Sequence, residues 1–350
     1  MKNEKMSLST SDRIGFIISL ATMIAAGITI VDALDSLLED TKGQQRKIIQ
    51  TIKDDVIQGK RLHVAFSRFP LIFDKVTVNI VKAAEEAGTL ETTLNDVKEN
   101  MQKEAELIDK IKGSLVYPIF IVIVLIGVML MMLFFVIPKI AVVFTRLKVT
   151  LPLPTKIMIF VSDIATKNTI PFIVGIVVAI VFLIILYKTQ KRKLIQIIAS
   201  LPIVYQLVKK MDLVRFTRNL SMLLNSGIMI VSALEICEEV VVNKHVVRMI
   251  RDSKNMVLSG KRLAQGLRTA KKIMPNIIIR IIESGEKSGQ LSKALTESSN
   301  YLDYEVSKAL KTFVTLLEPV MLVFVGIMVG GMMISIIAPI YGLIGQVGAR

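Results

Sequence analysis

The segment 284–289 carries the residue types most suggestive of chemistry in this chain, reading Ser-Gly-Glu-Lys-Ser-Gly. A nucleotide-binding P-loop needs one glycine six residues before its lysine and another directly before it, because the loop backbone must surround the phosphates. Here those two positions are Ile281 and Glu286. An acid beside the phosphates would repel them, so we expect no nucleotide site.

The same segment supports two other interpretations. In the first it is a helix–helix turn, in which Gly289 adopts a backbone conformation closed to other residues and Ser288 or Ser292 caps the next helix. In the second it is a partner-facing turn, with Glu286 exposed for contact with a basic group. The two are compatible, and both stay open at the level of the sequence.

The remaining reactive residue types are too sparse for a catalytic site. His63 and His245 are the only histidines and lie 182 positions apart. Cys237 is the single cysteine, which excludes an internal disulfide and any multi-cysteine metal site. We expect it to be a small core residue. With no nucleophile–base, paired-carboxylate or metal-ligand spacing in the chain, we expect no enzyme, no cofactor and no metal.

The apolar residues are concentrated in blocks that indicate a membrane protein. The 350 residues are 52% hydrophobic and 21% charged, with a mean hydropathy of +0.59. Three uncharged stretches, 119–137, 170–186 and 320–341, are long enough to cross the hydrocarbon layer. None of them contains an ionisable residue that would mark a transport path. A transporter or channel subunit is the alternative function class, and the absence of ionisable residues in the spans disfavours it. A fourth uncharged stretch, 14–31, is interpreted as a soluble helix because its repeat partner contains Arg218 and Asn225.

An internal repeat organises the chain. Segments 20–34 and 220–234 share seven of 15 residues at an offset of 200. At an offset of 201, Gly59–Leu62 matches Gly260–Leu263, and Pro118 matches Pro319. The unit consists of about 100 polar residues with helical periodicity, followed by one span. If both polar units lie on the same side of the membrane, the unpaired middle span must return the chain across it.

The predicted fold class is all-α: a polytopic membrane protein with two repeated cytoplasmic helical bundles and three transmembrane helices. The predicted segments are an N-terminal tail (1–12), the first bundle (13–114), transmembrane helix 1 (115–138), an outer loop (139–168), transmembrane helix 2 (169–187), a basic linker (188–208), the second bundle (209–315), transmembrane helix 3 (316–341) and a C-terminal tail (342–350).

The charge distribution predicts orientation and partners. Four basic residues directly after the second span (Lys188, Lys191, Arg192 and Lys193) mark the cytoplasmic side. The N-terminus is therefore expected inside and the C-terminus outside. The net charge is +15 overall, −1 over residues 1–114 and +12 over residues 188–315. With no Trp and 6% aromatic residues, we expect acidic lipid or protein as the partner, and no nucleic acid.

Two dipeptides stand where the bundles are expected to enter the membrane. Tyr117-Pro118 opens the first span and Glu318-Pro319 the third. A proline in the first turn of a helix and an acid just before it suit a helix start, so we expect Glu318 to cap the third span. Its alternative role is to couple the bundle to the span. Within that span, Gly326 and Gly330 form a small-residue face suited to close helix packing, within the protein or between protomers.

These motifs together resemble the type II secretion system F-protein family, which includes the type IV pilus platform proteins. The resemblance covers nearly the whole chain. It rests on the repeated glycine-containing helix, the outer-loop segment 151–155 and the Tyr-Pro and Glu-Pro dipeptides, the Ala-Pro-Ile exit at 338–340, and a Gly-Glu-x-Ser-Gly-x-Leu turn formed by Gly285, Glu286, Ser288, Gly289 and Leu291.

The resemblance implies a platform subunit in the cytoplasmic (inner) membrane. Such proteins contact a hexameric secretion ATPase and are thought to pass its conformational cycle to pilin or pseudopilin subunits for protein secretion or pilus biogenesis. Other inner-membrane assembly proteins, membrane lipid and a second copy of the chain are further expected partners. The second-bundle turn is the expected docking element. The first-bundle turn keeps Glu85 and Gly88 but has alanines at two motif positions.

Overall fold

The computed structural model describes residues 6–147, 153–167, 171 and 202–347. These residues form fourteen α-helices and one π-helical turn, and no β-strand occurs among them. The all-α prediction is thereby confirmed for the described part of the chain. The predicted second span, apart from Pro171, lies outside the described residues, as does the basic segment up to residue 201.

Six helices of the first half recur in the same order in the second. In the first half α1 spans Thr10–Ala25, α2 Ile30–Glu39, α3 Gly43–Ile57, α4 Leu62–Ser67, α5 Lys75–Ala87 and α6 Leu90–Met131. A π-helical turn at Met132–Val136 is followed by α7 (Ile137–Leu147) and α8 (Leu153–Lys167). In the second half α9 spans Pro202–Asn225, α10 Ile230–Val240, α11 Lys244–Leu258, α12 Leu263–Thr269, α13 Asn276–Ser288 and α14 Leu291–Val347.

Glycines at repeat-related positions end the corresponding helices. Gly88 follows α5 with φ +71°, and Gly289 follows α13 with φ +74°. This left-handed conformation is strained for residues with a Cβ, and glycine adopts it freely. The helix–turn–helix interpretation of segment 284–289 is therefore confirmed. Because α13 remains helical through Ser288, the segment is no phosphate loop.

Each of the two bundles buries hydrophobic side chains, and both bundles belong to one compact unit. The described residues of 1–110 and 205–309 form one compact unit. Leu34 and its repeat partner Leu234 have no exposed surface. In the first bundle the Phe66 and Phe73 rings stack with centroids 3.9 Å apart. Cys237 is completely buried, as expected, and burial raises the pKa of its thiol.

The described residues of 111–204 and 310–350 form the second compact unit. Two helical stretches are long and apolar enough to cross a membrane, Leu90–Val142 and Leu291–Gly331, and their most apolar windows are almost entirely unburied. In the π-helical turn, the Leu133 carbonyl accepts a hydrogen bond from Ser162 Oγ of α8 at 2.7 Å. A π-helical turn leaves a carbonyl without its usual partner, and a serine on the next helix can satisfy it.

The prediction that Glu318 and Pro319 begin a helix is wrong. Helix α14 begins at Leu291, so both residues lie in its interior, and Pro118 likewise lies inside α6. A proline removes only one backbone donor, and long apolar helices tolerate this. The described parts of the expected outer loop and tails are also helical, in α7, α8, α1 and α14.

Candidate functional site

Glu286 lies on the last turn of α13 and contacts the beginning of α12. Its Oε1 accepts a hydrogen bond from the Leu263 N–H at 2.6 Å, and its Oε2 accepts one from the Ala264 N–H at 3.1 Å. The first N–H groups of a helix have no partner within the helix. Arg262, at the N-cap position of α12, supplies no side-chain bond to them. The carboxylate of Glu286 therefore replaces a missing local cap.

Glu85 does the same in the first bundle. Its two carboxylate oxygens accept the N–H groups of Leu62 and His63 at 2.6 and 3.1 Å. In the first bundle the carboxylate has one further contact, since His63 Nδ1 lies 2.5 Å from Oε2 of Glu85. The two glutamates are equivalent in geometry as well as in sequence.

This geometry corrects the expectation that Glu286 is exposed for a basic partner. The residue is half-buried, and both oxygens of its carboxylate bind backbone N–H groups. The serine-capping expectation is wrong as well. Ser288 Oγ donates to the Gly285 carbonyl within α13 at 3.2 Å, and Ser292 lies inside α14. The turn is thus held by a glutamate and two glycines.

Gly285 has a packing role that differs from that of Gly289. A Cβ at position 285 would lie 2.2 Å from the Cβ of Ala294 and 3.0 Å from the Gln290 carbonyl oxygen. At Gly289 nothing lies within 4 Å of such a Cβ. Close approach of α13 and α14 requires the first glycine, and the backbone conformation requires the second. Leu291 then begins α14.

The exposed part of this turn consists of Lys287, Ser288, Gly289 and Gln290. In the first bundle, residues 86–89 are exposed in the same way, and Gly88 ends α5. Both turns therefore present a short solvent-facing edge that is fixed from behind by the capping glutamate. These edges are available to a partner, whereas the glutamates are not.

The two bundles contact each other through ion pairs and a shared cavity. Lys75 at the start of α5 pairs with Glu239 at the end of α10. Arg215 of α9 pairs with Glu104 of α6 at 3.4 Å. A cavity of about 260 Å³ lies along this contact. Its walls include, from the first bundle, Ile72, Val76, Asn100 and Met101, and from the second, Arg218, Asn219, Met222 and Val240.

Asp212 fixes the connection between α10 and α11. It is completely buried and accepts the N–H groups of Val242 and Asn243 at 3.0 and 2.6 Å. Burial raises its pKa, although those hydrogen bonds and the nearby Arg215 oppose the shift. Sequence reasoning missed this aspartate, because its partners are backbone groups 30 residues away that leave no side-chain pattern.

Asp55 joins three parts of the first bundle. Its buried carboxylate binds Lys60 in the α3–α4 turn and, at 2.9 Å, Arg68 after α4. Burial favours the neutral acid, but the bonds from Lys60 and Arg68 outweigh it and lower the pKa of Asp55. In the described ranges, no three His, Cys, Asp or Glu side chains gather into a metal site.

The membrane-entry and span-packing residues lie on open helix surfaces. Tyr117 and Glu318 are exposed, while Pro118 is half-buried and Pro319 exposed. A Cβ at Gly326 or Gly330 would meet no heavy atom of the described residues within 4 Å. The coupling role of the dipeptides and the packing role of the two glycines thus stay predictions.

Comparison with known proteins finds the same family in both halves. The family described as "Type II secretion system (T2SS), protein F" matches residues 16–138 and again 216–339. Among similar proteins, the type IV pilus assembly protein PilC of Thermus thermophilus is 30% identical over 335 residues, covering 95% of this chain and 82% of the relative. PilC of Pseudomonas aeruginosa is 30% identical, covering 94% and 89%. The type II secretion system protein F of Aeromonas hydrophila is 27% identical, covering 96% and 87%.

Proposed function

This chain belongs to the type II secretion system protein F family, and on that premise we propose that it is the inner-membrane platform subunit of a machine that secretes proteins or assembles type IV pili. The observation that carries the proposal is the match of the family to both halves, at residues 16–138 and 216–339. Relatives named for pilus assembly and for type II secretion are similar over almost the whole chain.

The proposed membrane arrangement is three spans, with both bundles and the N-terminus in the cytoplasm. Two long apolar helical stretches with unburied apolar surface support membrane insertion. The basic residues that follow the middle span support the proposed orientation. Reporter fusions after residues 114, 150 and 315 test this arrangement. Cytoplasmic activity at 114 and 315 with outside activity at 150 is expected, and outside activity at 315 would contradict it.

The proposed partners are a hexameric cytoplasmic ATPase, pilin or pseudopilin subunits and other inner-membrane assembly proteins. In this proposal the platform passes motion of the ATPase to the subunits being lifted from the membrane. The exposed edges of the two turns, at 86–89 and 287–290, are the proposed docking elements. Both edges are solvent-facing and rigidly supported by a capping glutamate, which supports this assignment.

Deletion of the gene from the native host tests the proposal. We expect loss of extracellular filaments, or of the secreted proteins of one system, and recovery on expression of the intact chain. Normal filaments and normal secretion in the deletion strain would contradict the platform role. Loss of uptake of a small solute instead would favour the transporter alternative.

A further inference from the structure

The contact between the two bundles is head-to-tail: it joins different surfaces of two repeat-related units. The first bundle contributes α5 and α6, where Val76 and Asn100 line the shared cavity. The second contributes α9 and α10, where Met222 and Val240 line the opposite wall. Val76 is only 2% exposed as a result. A head-to-tail contact leaves one matching surface unused on each unit.

The unused surface of the second bundle is apolar at its centre. Ile277, the repeat partner of Val76, is 46% exposed, and Tyr301, the partner of Asn100, is 40% exposed. Because Val76 and Asn100 line one cavity, their partners lie close together on the second bundle. Tyrosine and aliphatic residues at an exposed centre are typical of protein interfaces. We name Ile277 and Tyr301 with their basic neighbours the open face.

The edge of the open face is basic. Lys271 and Lys272 are exposed in the α12–α13 turn, and no ion pair of the described residues involves either of them. Their repeat partners in the first bundle are Pro70 and Leu71, which carry no charge. The positive charge at this turn therefore has no counterpart in the first bundle, and it favours an acidic partner.

The unused surface of the first bundle has the opposite charge. It is formed by α1 and α2, the repeat partners of α9 and α10. Residues 30–40 contain four acids (Asp32, Asp35, Glu39 and Asp40) and no Lys or Arg. Glu39 and Asp40 are exposed, and neither takes part in an ion pair within the described part of the chain. Glu39 is the repeat partner of Glu239, which pairs with Lys75 in the internal contact.

We propose that the open face of the second bundle binds α1 and α2 of the first bundle in a second copy of this chain. The contact repeats between molecules the one that joins the two bundles within each molecule. In that contact Asn276 takes the place of Lys75 and Glu39 that of Glu239, and Lys271 and Lys272 lie at its rim, where the first bundle has the exposed Leu71. Such a contact builds a closed ring or an open row of platforms, according to the rotation per step.

Disulfide cross-linking of the full-length chain in detergent tests this geometry. Val76 and Val240 line opposite walls of the same cavity. Their repeat partners, Ile277 and Asp40, should therefore meet between two molecules. The double variant Ile277→Cys with Asp40→Cys is expected to give a ladder of cross-linked oligomers, while either single variant gives none. Native Cys237 has no exposed surface and does not interfere.

The matched control replaces the open-face cysteine by one elsewhere on the second bundle. Leu258 is 63% exposed. It lies at the end of α11, before the start of α12, whereas Lys271 and Lys272 follow the end of α12. Leu258→Cys with Asp40→Cys is expected to give no ladder. Absence of the ladder in the Ile277 variant, or an equal ladder in the control, would overturn the proposal.

Charge reversal provides a second measurement that requires no new cysteine. Lys271→Glu with Lys272→Glu is expected to weaken self-association by about tenfold at low salt, because the open face then repels α2. Adding Glu39→Lys and Asp40→Lys to the same chain should restore it. Sedimentation of the detergent-solubilised chain measures both effects. A wild-type chain that stays monomeric, an unchanged affinity or a failure to restore it each contradicts the proposal.

Discussion

A single carboxylate at Glu286 binds the first two N–H groups of α12, which no side chain of their own segment caps. Glu85 repeats this arrangement with the same distances in the other bundle. The glutamate of the family motif at this turn thus has a structural role. The sequence pattern alone did not distinguish that role from a role in docking. A loss of assembly on substitution of Glu286 would therefore report a loosened bundle rather than a lost partner contact.

Replacement of Glu286 by alanine is expected to destabilise the second bundle by about 1–3 kcal/mol, since two N–H groups lose a charged acceptor. Cys237 reports the opening, because it is the only cysteine and is fully buried. We expect a maleimide to label it about tenfold faster in the variant. Glu297→Ala, at an exposed position of α14, is the control and should label at the native rate.

Compared with alanine, asparagine is expected to destabilise the fold more at position 285 and less at position 289. Gly289→Ala forces a Cβ into the left-handed region at a cost of about 1–2 kcal/mol, and Gly289→Asn should cost less because asparagine tolerates that region. Gly285→Ala meets Ala294 and should cost about 1–3 kcal/mol, with Gly285→Asn costing more. The same Cys237 labelling measures all four variants. A smaller effect of asparagine than alanine at both positions would refute the packing role of Gly285.

At the scale of elements, the α3–α4 turn is held by charge. Asp55 on α3 binds Lys60 in the turn and Arg68 beyond α4. The pKa of Asp55 lies below its ordinary value of 3.8 in the folded chain. The aspartate therefore stabilises the fold at every pH above that ordinary value, and this stabilisation is lost as the pH falls through the lowered pKa.

Asp55→Asn is expected to lower the melting temperature of the first bundle at pH 7, with a cost of about 1–3 kcal/mol. The difference between the variant and the wild type should shrink below about pH 4, where Asp55 takes up a proton in the unfolded wild-type chain before it does so in the folded one. Thermal melts followed by circular dichroism in detergent at pH 7, 5 and 3 measure this difference. A constant difference across the three pH values would show that Asp55 acts by packing and not by charge.

The sequence predicted the turns well and the start of the last long helix poorly. Gly88 and Gly289 mark helix ends in both repeats, since a left-handed residue leaves a clear signature in the choice of amino acid. Pro319 did not mark a start, because α14 runs through it from Leu291 to Val347. Proline is compatible with either a first turn or a helix interior that tolerates one missing bond. Only the three-dimensional helix distinguishes the two.

On the scale of the whole molecule, the repeat was visible in the sequence but the way its copies pack was not. The residues at the bundle contact, such as Lys75 and Glu239, lie 164 positions apart and have no shared pattern. The charge asymmetry between the halves was already present in the composition. The structure adds a location for part of it, at Lys271 and Lys272 in the turn before α13, the helix that carries the exposed Ile277.

The platform role is tested most directly by purifying the tagged chain from its native membranes in mild detergent and identifying the proteins that accompany it by mass spectrometry. The account predicts recovery of a secretion-type ATPase together with pilin-like subunits, at levels well above a purification from untagged cells. Repeated recovery of the chain with neither of them, or with a periplasmic solute receptor in their place, would contradict the account.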